Sequence, residues 1–181
     1  MYKRLFFICL VVLVSNLIDA QQNQDIKMEI NVHSSAFENG GSIPSQFTCD
    51  GSGISPKINW TTDIQGIRTF ALIVEDPDAP GGIFVHWVVY NIPVNVKELS
   101  QETTPTKNIP AGALMGTNSA GRIGYMGPCP PSGTHKYFFR IYGLDRVLHL
   151  NAGAEKDDLL NAMKGHIIAE GELMGKYSRS K

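Results

Sequence analysis

The middle of the chain holds two apolar segments that are separated by only a short acidic turn. Phe70–Val74 and Phe84–Ile92 are rich in β-branched and aromatic residues, and the turn between them, Asp76–Gly82, reads DPDAPGG. Such segments favour β-strands, and a turn dense in Pro and Gly between them predicts a strand pair. Both alternations of the second segment are apolar, which is typical of a strand covered on both faces in the middle of a sheet.

His86 lies within the second of these segments, in alternation with Phe84, Val88 and Tyr90. Alternate residues of a strand point to the same face, so the imidazole is expected to be buried beside these side chains. With Asp76 at the end of the preceding segment, it makes a candidate site. The alternative is structural: aspartates that bond their own backbone in the turn, and a histidine that is satisfied in the core.

A second group of polar residues follows in the segment 124–137, which reads GYMGPCPPSGTHKY. His135 and Tyr137 are two apart at the start of a predicted strand, so they share a face. Gly127 can bring its backbone N–H close to a ligand. Imidazole, phenol and main-chain N–H groups suit an oxyanion, and Asp76 is then expected to fix the tautomer of His86 or His135 rather than touch the anion.

The N-terminus has the pattern of a secretory signal peptide. Met1–Arg4 is basic, Leu5–Leu17 is apolar, and Ala20 offers a small residue at the cleavage point. The segment is too short for a membrane anchor. We therefore predict a signal peptide over residues 1–20, a single mature domain over residues 21–181, and export to the periplasm or the exterior.

Charge and cysteine content narrow the possible partners. Removing residues 1–20 leaves 14 basic and 16 acidic residues with no polybasic tract, which does not favour nucleic acid or an anionic membrane surface. No later segment is long enough to insert stably in a membrane. Cys49 and Cys129 remain, and in an exported chain they form either one disulfide or two separate buried thiols.

The rest of the chain reads mainly as short strands. Alternation and turn residues predict further strands at Lys27–Val32, Gln46–Thr48, Lys57–Trp60, Lys136–Leu144 and Ile167–Tyr177. Ala154–Gly165 is the one convincing helix, with Leu159, Leu160 and Met163 expected on one face. Many strands and one late helix predict a mainly β fold, a sandwich of antiparallel or mixed sheets.

Three motifs in order resemble the phosphatidylethanolamine-binding protein family, and most of all its bacterial Raf-kinase-inhibitor-like subgroup. They are DPDAP at residues 76–80, HWVVYN at residues 86–91, and the glycine- and proline-rich segment from Gly127 that ends in His135 and Tyr137. The resemblance runs from about Ile30 to Tyr177. It implies a fold of two antiparallel β-sheets and a cis peptide bond at Ala79–Pro80.

The resemblance also implies a ligand site. The side chains and backbone that line it would be Asp76, His86, Gly127, His135 and Tyr137, with Asp78, Pro80 and Trp87 around them. Family members bind phosphate, phosphorylated head groups or acetate-like anions, and several modulate kinases or proteases. An export signal would separate this chain from cytosolic kinases, so a different protein partner is implied if one exists. No cofactor is implied.

Three alternatives to an anion-binding protein remain at the level of sequence. A hydrolase would use Ser132 as nucleophile, but no G-x-S-x-G motif is present. A metal site would use His86, His135 and Asp76, without the spacing of a known metal motif. A protein-interaction module or secreted protease inhibitor would need no small ligand. We predict a non-enzymatic, exported protein that binds a small phosphate-like or carboxylate anion, without a metal, as a monomer or homodimer.

Overall fold

The computed structural model describes residues 29–179. The predicted signal peptide, residues 1–20, lies outside the described residues, and so do the first two residues of the predicted strand Lys27–Val32. Within residues 29–179 no helix is long and apolar enough to cross a membrane.

The described residues form two antiparallel sheets. The strands are β1 Asn31–His33, β2 Ile58–Thr61, β3 Thr69–Asp76, β4 Phe84–Pro93, β5 Glu98–Leu99, β6 Leu114–Met115, β7 Thr134–Leu144 and β8 Ile167–Ser178. The smaller sheet has the order β1-β2-β5 and the larger one the order β6-β4-β3-β7-β8. One helix, α1 Lys156–Met163, precedes the last strand. The predicted mainly β fold with two antiparallel sheets and one late helix is confirmed.

The larger sheet is covered on both faces. On one face it packs against the smaller sheet, through side chains such as Trp60, Leu72, Trp87 and Phe139. On the other face it packs against α1 and neighbouring loops, through side chains that include Ile73, Val88, Tyr90 and Leu159. All eight residues of β3 are buried. The strand pair predicted from the two apolar segments thus lies at the centre of the fold.

Helix α1 is shorter than the predicted span Ala154–Gly165. It begins after Glu155, whose backbone N–H donates to Asp158 Oδ2 at 3.2 Å in a capping box. Leu159 and Met163 are buried, one turn apart, whereas Leu160 is 36% exposed. The prediction that Leu160 shares the buried face was wrong, because adjacent helical residues point about 100° apart.

Three other local predictions were wrong. The predicted strand Gln46–Thr48 is replaced by a short 3-10 helix, Ser45–Phe47, because Pro44 O and Ser45 O accept hydrogen bonds from the backbone N–H groups of Phe47 and Thr48. Of the described part of the predicted strand Lys27–Val32, Glu29 and Ile30 precede the first strand, which begins at Asn31. No peptide bond in residues 29–179 is cis, so the bond at Ala79–Pro80 is trans.

Candidate functional site

Asp76 ends strand β3 and ties two parts of the chain together. Its side chain is nearly inaccessible, at 3% relative exposure. Oδ1 accepts the backbone N–H of Asp78 at 2.8 Å, and Oδ2 accepts a hydrogen from His135 Nδ1 at 2.7 Å. Asp78 in turn accepts the backbone N–H of Lys136 at 2.9 Å. The turn after β3 is therefore fastened to the start of β7.

A β-bulge decides where His86 points. Val74 pairs with Trp87, whereas the next residue of β3, Glu75, pairs with Val85, so His86 is an extra residue in β4. Val85 packs on the helix side of the sheet, and Trp87 packs between the sheets. The imidazole lies with the latter, against the ring of Tyr137. Burial of His86 and its contact with Phe84 were predicted correctly, but the other two predicted companions, Val88 and Tyr90, face the other way.

The imidazole of His86 is fixed by a backbone carbonyl. Its Nδ1 donates to Met126 O at 2.7 Å, while Met126 N donates to His86 O at 2.9 Å. The rings of Phe84 and Tyr137 lie 4.8 Å and 5.2 Å from its centroid. Burial lowers the pKa of His86, an effect that the Met126 bond and the charge of Asp76 only partly oppose. His86 is thus held as a neutral imidazole with its proton on Nδ1.

Strand β7 brings His135 and Tyr137 to the same face, as predicted. Both side chains are buried, at 7% and 0% relative exposure. The Tyr137 hydroxyl is buried and makes no hydrogen bond of good geometry within residues 29–179, although the carboxylate of Asp76 is close enough to act on it. Burial, followed by the negative charge of Asp76, raises the pKa of Tyr137. Tyr137 therefore keeps its proton at neutral pH and has an O–H to donate.

Gly127 lies in a loop that is clamped to the segment around Phe47. A Cβ at position 127 would be 2.8 Å from Phe47 O and 2.9 Å from Thr48 Cα. On either side of the glycine, Tyr125 Oη donates to Phe47 O at 2.8 Å and Cys49 N donates to Pro128 O at 3.0 Å. Only a residue without a side chain fits this approach of two backbones.

A disulfide joins the same two segments. Cys49 and Cys129 are bonded, and both are exposed. Of the two possibilities that the sequence left open, the structure has the bridge. It closes over a sequence separation of 80 residues, next to the loop that carries Met126 and Gly127.

We call the five residues Asp76, His86, Gly127, His135 and Tyr137 the histidine cluster. The structure brings its four side chains together and sets Gly127 beside Met126. Asp76 orients His135 and not His86, which settles which histidine it holds. Gly127 lies against the backbone of Phe47 and Thr48, and the role of its N–H toward a ligand stays a prediction. The Nε2 atoms of the two histidines remain for a ligand.

Three further residues, Asp78, Pro80 and Trp87, were predicted to surround this cluster, and the structure places each of them differently. Asp78 is exposed and anchors β7 through Lys136. Pro80 is exposed in the turn. Trp87 is fully buried, with its ring against Tyr125 rather than in the cluster. Ser132, the nucleophile of the hydrolase alternative, is exposed in the loop before β7.

Sequence reasoning missed the contribution of Met126. Met126 acts through its backbone oxygen, so any residue type could supply it and no side-chain pattern indicates it.

No group of three or more His, Cys, Asp or Glu side chains in residues 29–179 is arranged to hold a metal ion. A cleft of about 520 Å³ lies on the helix side of the larger sheet, between Ile83, the 117–121 segment and the start of α1. The histidine cluster is on the opposite face and does not line this cleft.

Acidification is expected to destabilise the fold through His86. Because its pKa is lower in the folded state, the unfolded chain takes up a proton that the folded state resists. The stability from His86 is therefore complete above about pH 6.5 and declines as the pH falls below that value, by at most about 1.4 kcal/mol per pH unit. Urea unfolding at several pH values measures this slope.

Two variants isolate the contribution of His86. His86→Asn keeps a donor for Met126 O but removes the titration, so the slope between neutral and mildly acidic pH is expected to become smaller. His149→Gln, at an exposed histidine outside the cluster, is the matched control for the loss of a histidine. An unaltered slope in His86→Asn would show that another group carries the pH dependence.

Comparison with known proteins places these features in a family. The sequence profile described as phosphatidylethanolamine-binding protein matches residues 33–178. A UPF0098 protein of Methanothermobacter thermautotrophicus is 46% identical over 150 residues, which cover 83% of this chain and 99% of that protein. A UPF0098 protein of Aquifex aeolicus is 43% identical over 153 residues, covering 83% and 89%.

Two solved structures have the same architecture. CT736 of Chlamydia trachomatis, described as a phosphatidylethanolamine-binding protein homologue, superposes with a TM-score of 0.77 at 40% identity, covering 84% of this chain and 99% of that one. YbcL of E. coli, described as a new member of the mammalian family, superposes with a TM-score of 0.79 at 29% identity and the same coverage. The chain therefore belongs to the phosphatidylethanolamine-binding protein family.

Proposed function

We propose that the histidine cluster binds a small oxyanion, such as phosphate, a phosphorylated head group or a carboxylate. The observation that carries the proposal is the buried hydroxyl of Tyr137, which makes no hydrogen bond of good geometry within residues 29–179, even with the carboxylate of Asp76 nearby. A buried donor without an acceptor costs free energy of folding, about 1–3 kcal/mol. A ligand oxygen that accepts this hydrogen bond recovers that cost on binding.

Two features of the cluster support the same proposal. The histidines have committed their Nδ1 atoms to Met126 O and Asp76, so each ring is held in one orientation before a ligand arrives. The backbone of Gly127 is also fixed against Phe47 and Thr48. Preorganised groups lose little conformational entropy when a ligand binds.

The expected affinity is modest. Each hydrogen bond to a charged oxygen contributes about 1.5–3 kcal/mol, while association costs at least about 4 kcal/mol. A bare phosphate is therefore expected to bind with a dissociation constant in the micromolar to millimolar range, roughly. A larger ligand, or a partner protein that presents a phosphate or carboxylate, would add contacts beyond the cluster.

The proposal includes an oxidising compartment. The predicted signal peptide over residues 1–20 directs export, and the exposed Cys49–Cys129 disulfide supports it, since such bonds persist mainly outside the cytosol. The test is to recover the protein from culture medium, periplasm and cytosol and to measure its mass. Exported protein is expected to have the mass of the mature chain 21–181.

The direct test is an NMR titration of the mature protein with phosphate and with O-phosphorylethanolamine. Among the five histidines, the ring protons of His86 and His135 are expected to shift saturably. His33, His149 and His166 lie outside the cluster and serve as internal controls. If neither cluster histidine responds to either ligand, the anion site is disproved.

Tyr137→Phe is expected to separate binding from stability. The variant loses the donor and should bind phosphate at least about ten-fold more weakly. Because the lost hydroxyl is buried without a hydrogen bond of good geometry, the free energy of unfolding is expected to stay the same or rise slightly. Calorimetric titration and urea unfolding measure the two quantities.

The matched control is Tyr90→Phe. The hydroxyl of Tyr90 donates to Asn151 O on the helix side of the larger sheet, so its removal should lower the free energy of unfolding by about 1 kcal/mol while phosphate still binds. A loss of stability in Tyr137→Phe as large as in the control would show that the Tyr137 hydroxyl serves the fold and not a ligand.

A further inference from the structure

The histidine cluster offers a hydrogen-bond acceptor where a simple anion needs a donor. His86 Nδ1 lies 2.7 Å from Met126 O, and His135 Nδ1 lies 2.7 Å from Asp76 Oδ2. A carbonyl oxygen only accepts, so the proton that the His86 ring shares with Met126 O is on Nδ1. A neutral imidazole in this tautomer presents a lone pair at Nε2.

The charges around the cluster also oppose a fully ionised anion. The titratable groups that face the two histidines are Asp76 on β3, Asp78 in the turn, Tyr137 on β7 and Tyr177, which pairs with His135 on β8. None of these is a cation. Arg179 acts on Tyr177, but it is paired with Asp50, which also accepts the Tyr177 hydroxyl. Lys136 lies between His135 and Tyr137 on the opposite face of its strand and is exposed.

We propose, on the basis of the anion site proposed above, that the histidine cluster selects oxyanions that carry a proton of their own. The ligand's P–O–H donates to Nε2 of His86, while Tyr137 O–H and the backbone N–H of Gly127 donate to its unprotonated oxygens. The preferred class is the protonated phosphomonoester or hydrogen phosphate. Sulfate and phosphodiesters have no such proton at neutral pH and are bound poorly.

The chemistry of the site explains why the ligand, rather than the protein, brings the proton. An imidazolium at His86 would satisfy an ionised oxygen equally well, but its ring lies in a buried place at 4% relative exposure. Burial opposes formation of the charged ring. A protonated phosphate supplies the same hydrogen bond without placing a second ion there.

Four probes of matched charge test the proposal on the mature wild-type protein, by calorimetric titration. Hydrogen phosphate and sulfate, compared at mildly alkaline pH, are dianions of similar size, and only the phosphate has a proton. Methyl phosphate and dimethyl phosphate, compared near pH 6, are about equal in charge when the monoester is protonated. In each pair the protonated member is expected to bind at least about ten-fold more tightly.

The pH dependence of methyl phosphate binding gives a second measurement. Above the second ionisation of a phosphomonoester, near pH 6, its affinity is expected to fall about ten-fold per pH unit. Titrations in two buffers with different ionisation enthalpies should show uptake of one proton per ligand in that range.

The outcomes distinguish failure of the proposed selection for a protonated ligand from failure of the proposed anion site. Binding of sulfate and dimethyl phosphate with affinities equal to those of their protonated partners would disprove the selection while leaving the anion site intact. Dimethyl phosphate differs from methyl phosphate by an extra methyl group, which could by itself weaken binding. The decisive pair is therefore sulfate and hydrogen phosphate, and equal affinities for these two are sufficient to overturn the selection. If none of the four probes binds, the proposed anion site itself fails.

Discussion

Replacing Cys49 and Cys129 together by serine is expected to lower the free energy of unfolding by about 4 kcal/mol. The disulfide spans a sequence separation of 80 residues, and in the chain-entropy model a loop of that length restricts the unfolded chain by roughly 4.5 kcal/mol. For a domain of this size the loss corresponds to a fall in the melting temperature of roughly 10–15 °C. Thermal and urea unfolding of the mature protein measure both values.

A dithiol reductant supplies the control for this variant. Reduction converts the bond to two thiols as the reductant becomes a disulfide, and both cysteines are exposed to it. Reduced wild-type protein is expected to match the double serine variant, and the reductant should not affect the variant. If oxidised wild type and the variant have equal melting temperatures, the disulfide adds no stability. Hydrogen bonds such as that from Cys49 N to Pro128 O would then be enough to hold the segments around Cys49 and Cys129 together.

The centre of the fold was predictable because burial constrains composition strongly. A strand covered on both faces needs apolar residues on both alternations, and Phe70–Val74 and Phe84–Ile92 have them. The pairing of β3 with β4 then follows from the short turn between them. The short strands β5 and β6 were not predictable, since two residues each are too few for a periodic pattern.

The position of His86 shows where the strand rule fails. Alternation assumes that residues of neighbouring strands pair one to one, and it placed His86 with Phe84, Val88 and Tyr90, of which the last two lie on the helix side in the structure. The bulge adds one residue and turns the ring to the side of Tyr137. Without the bulge His86 would be on the opposite face from His135. The grouping of His86 with His135 and Tyr137 therefore came from the family resemblance and not from alternation.

The groups that orient the two histidine rings also could not be predicted from the sequence. Asp76 was expected to orient one of the two, and its position at the end of β3 gives it to His135. His86 is oriented instead by the carbonyl of Met126. Backbone acceptors are common to all residue types, so only the folded loop shows which one is close.

Gly127→Ala is expected to disturb the histidine cluster more than any other glycine-to-alanine substitution in this loop. The added Cβ would be 2.8 Å from Phe47 O and 2.9 Å from Thr48 Cα. Both neighbours are backbone atoms, which a rotamer change cannot move. We expect a loss of about 1–3 kcal/mol in the free energy of unfolding, typical of overpacking at a buried site.

Binding should suffer as well, because the displaced loop carries the oxygen that holds His86. A shift of the loop by a few tenths of an ångström at position 127 moves Met126 O, which bonds His86 Nδ1 at 2.7 Å. We expect phosphate affinity to fall at least about ten-fold, with altered ring-proton shifts of His86 in the free protein. NMR titration with phosphate reports both changes.

Gly81→Ala is the matched control, in the turn between β3 and β4. A Cβ at position 81 would meet no atom within 4 Å, so its free energy of unfolding should stay within about 0.5 kcal/mol of wild type. If Gly127→Ala behaves like Gly81→Ala in both stability and phosphate binding, the loop tolerates a side chain there. The close approach of the two backbones would then not be what positions Met126 against His86, and the preorganisation argued for the cluster would lose its structural basis.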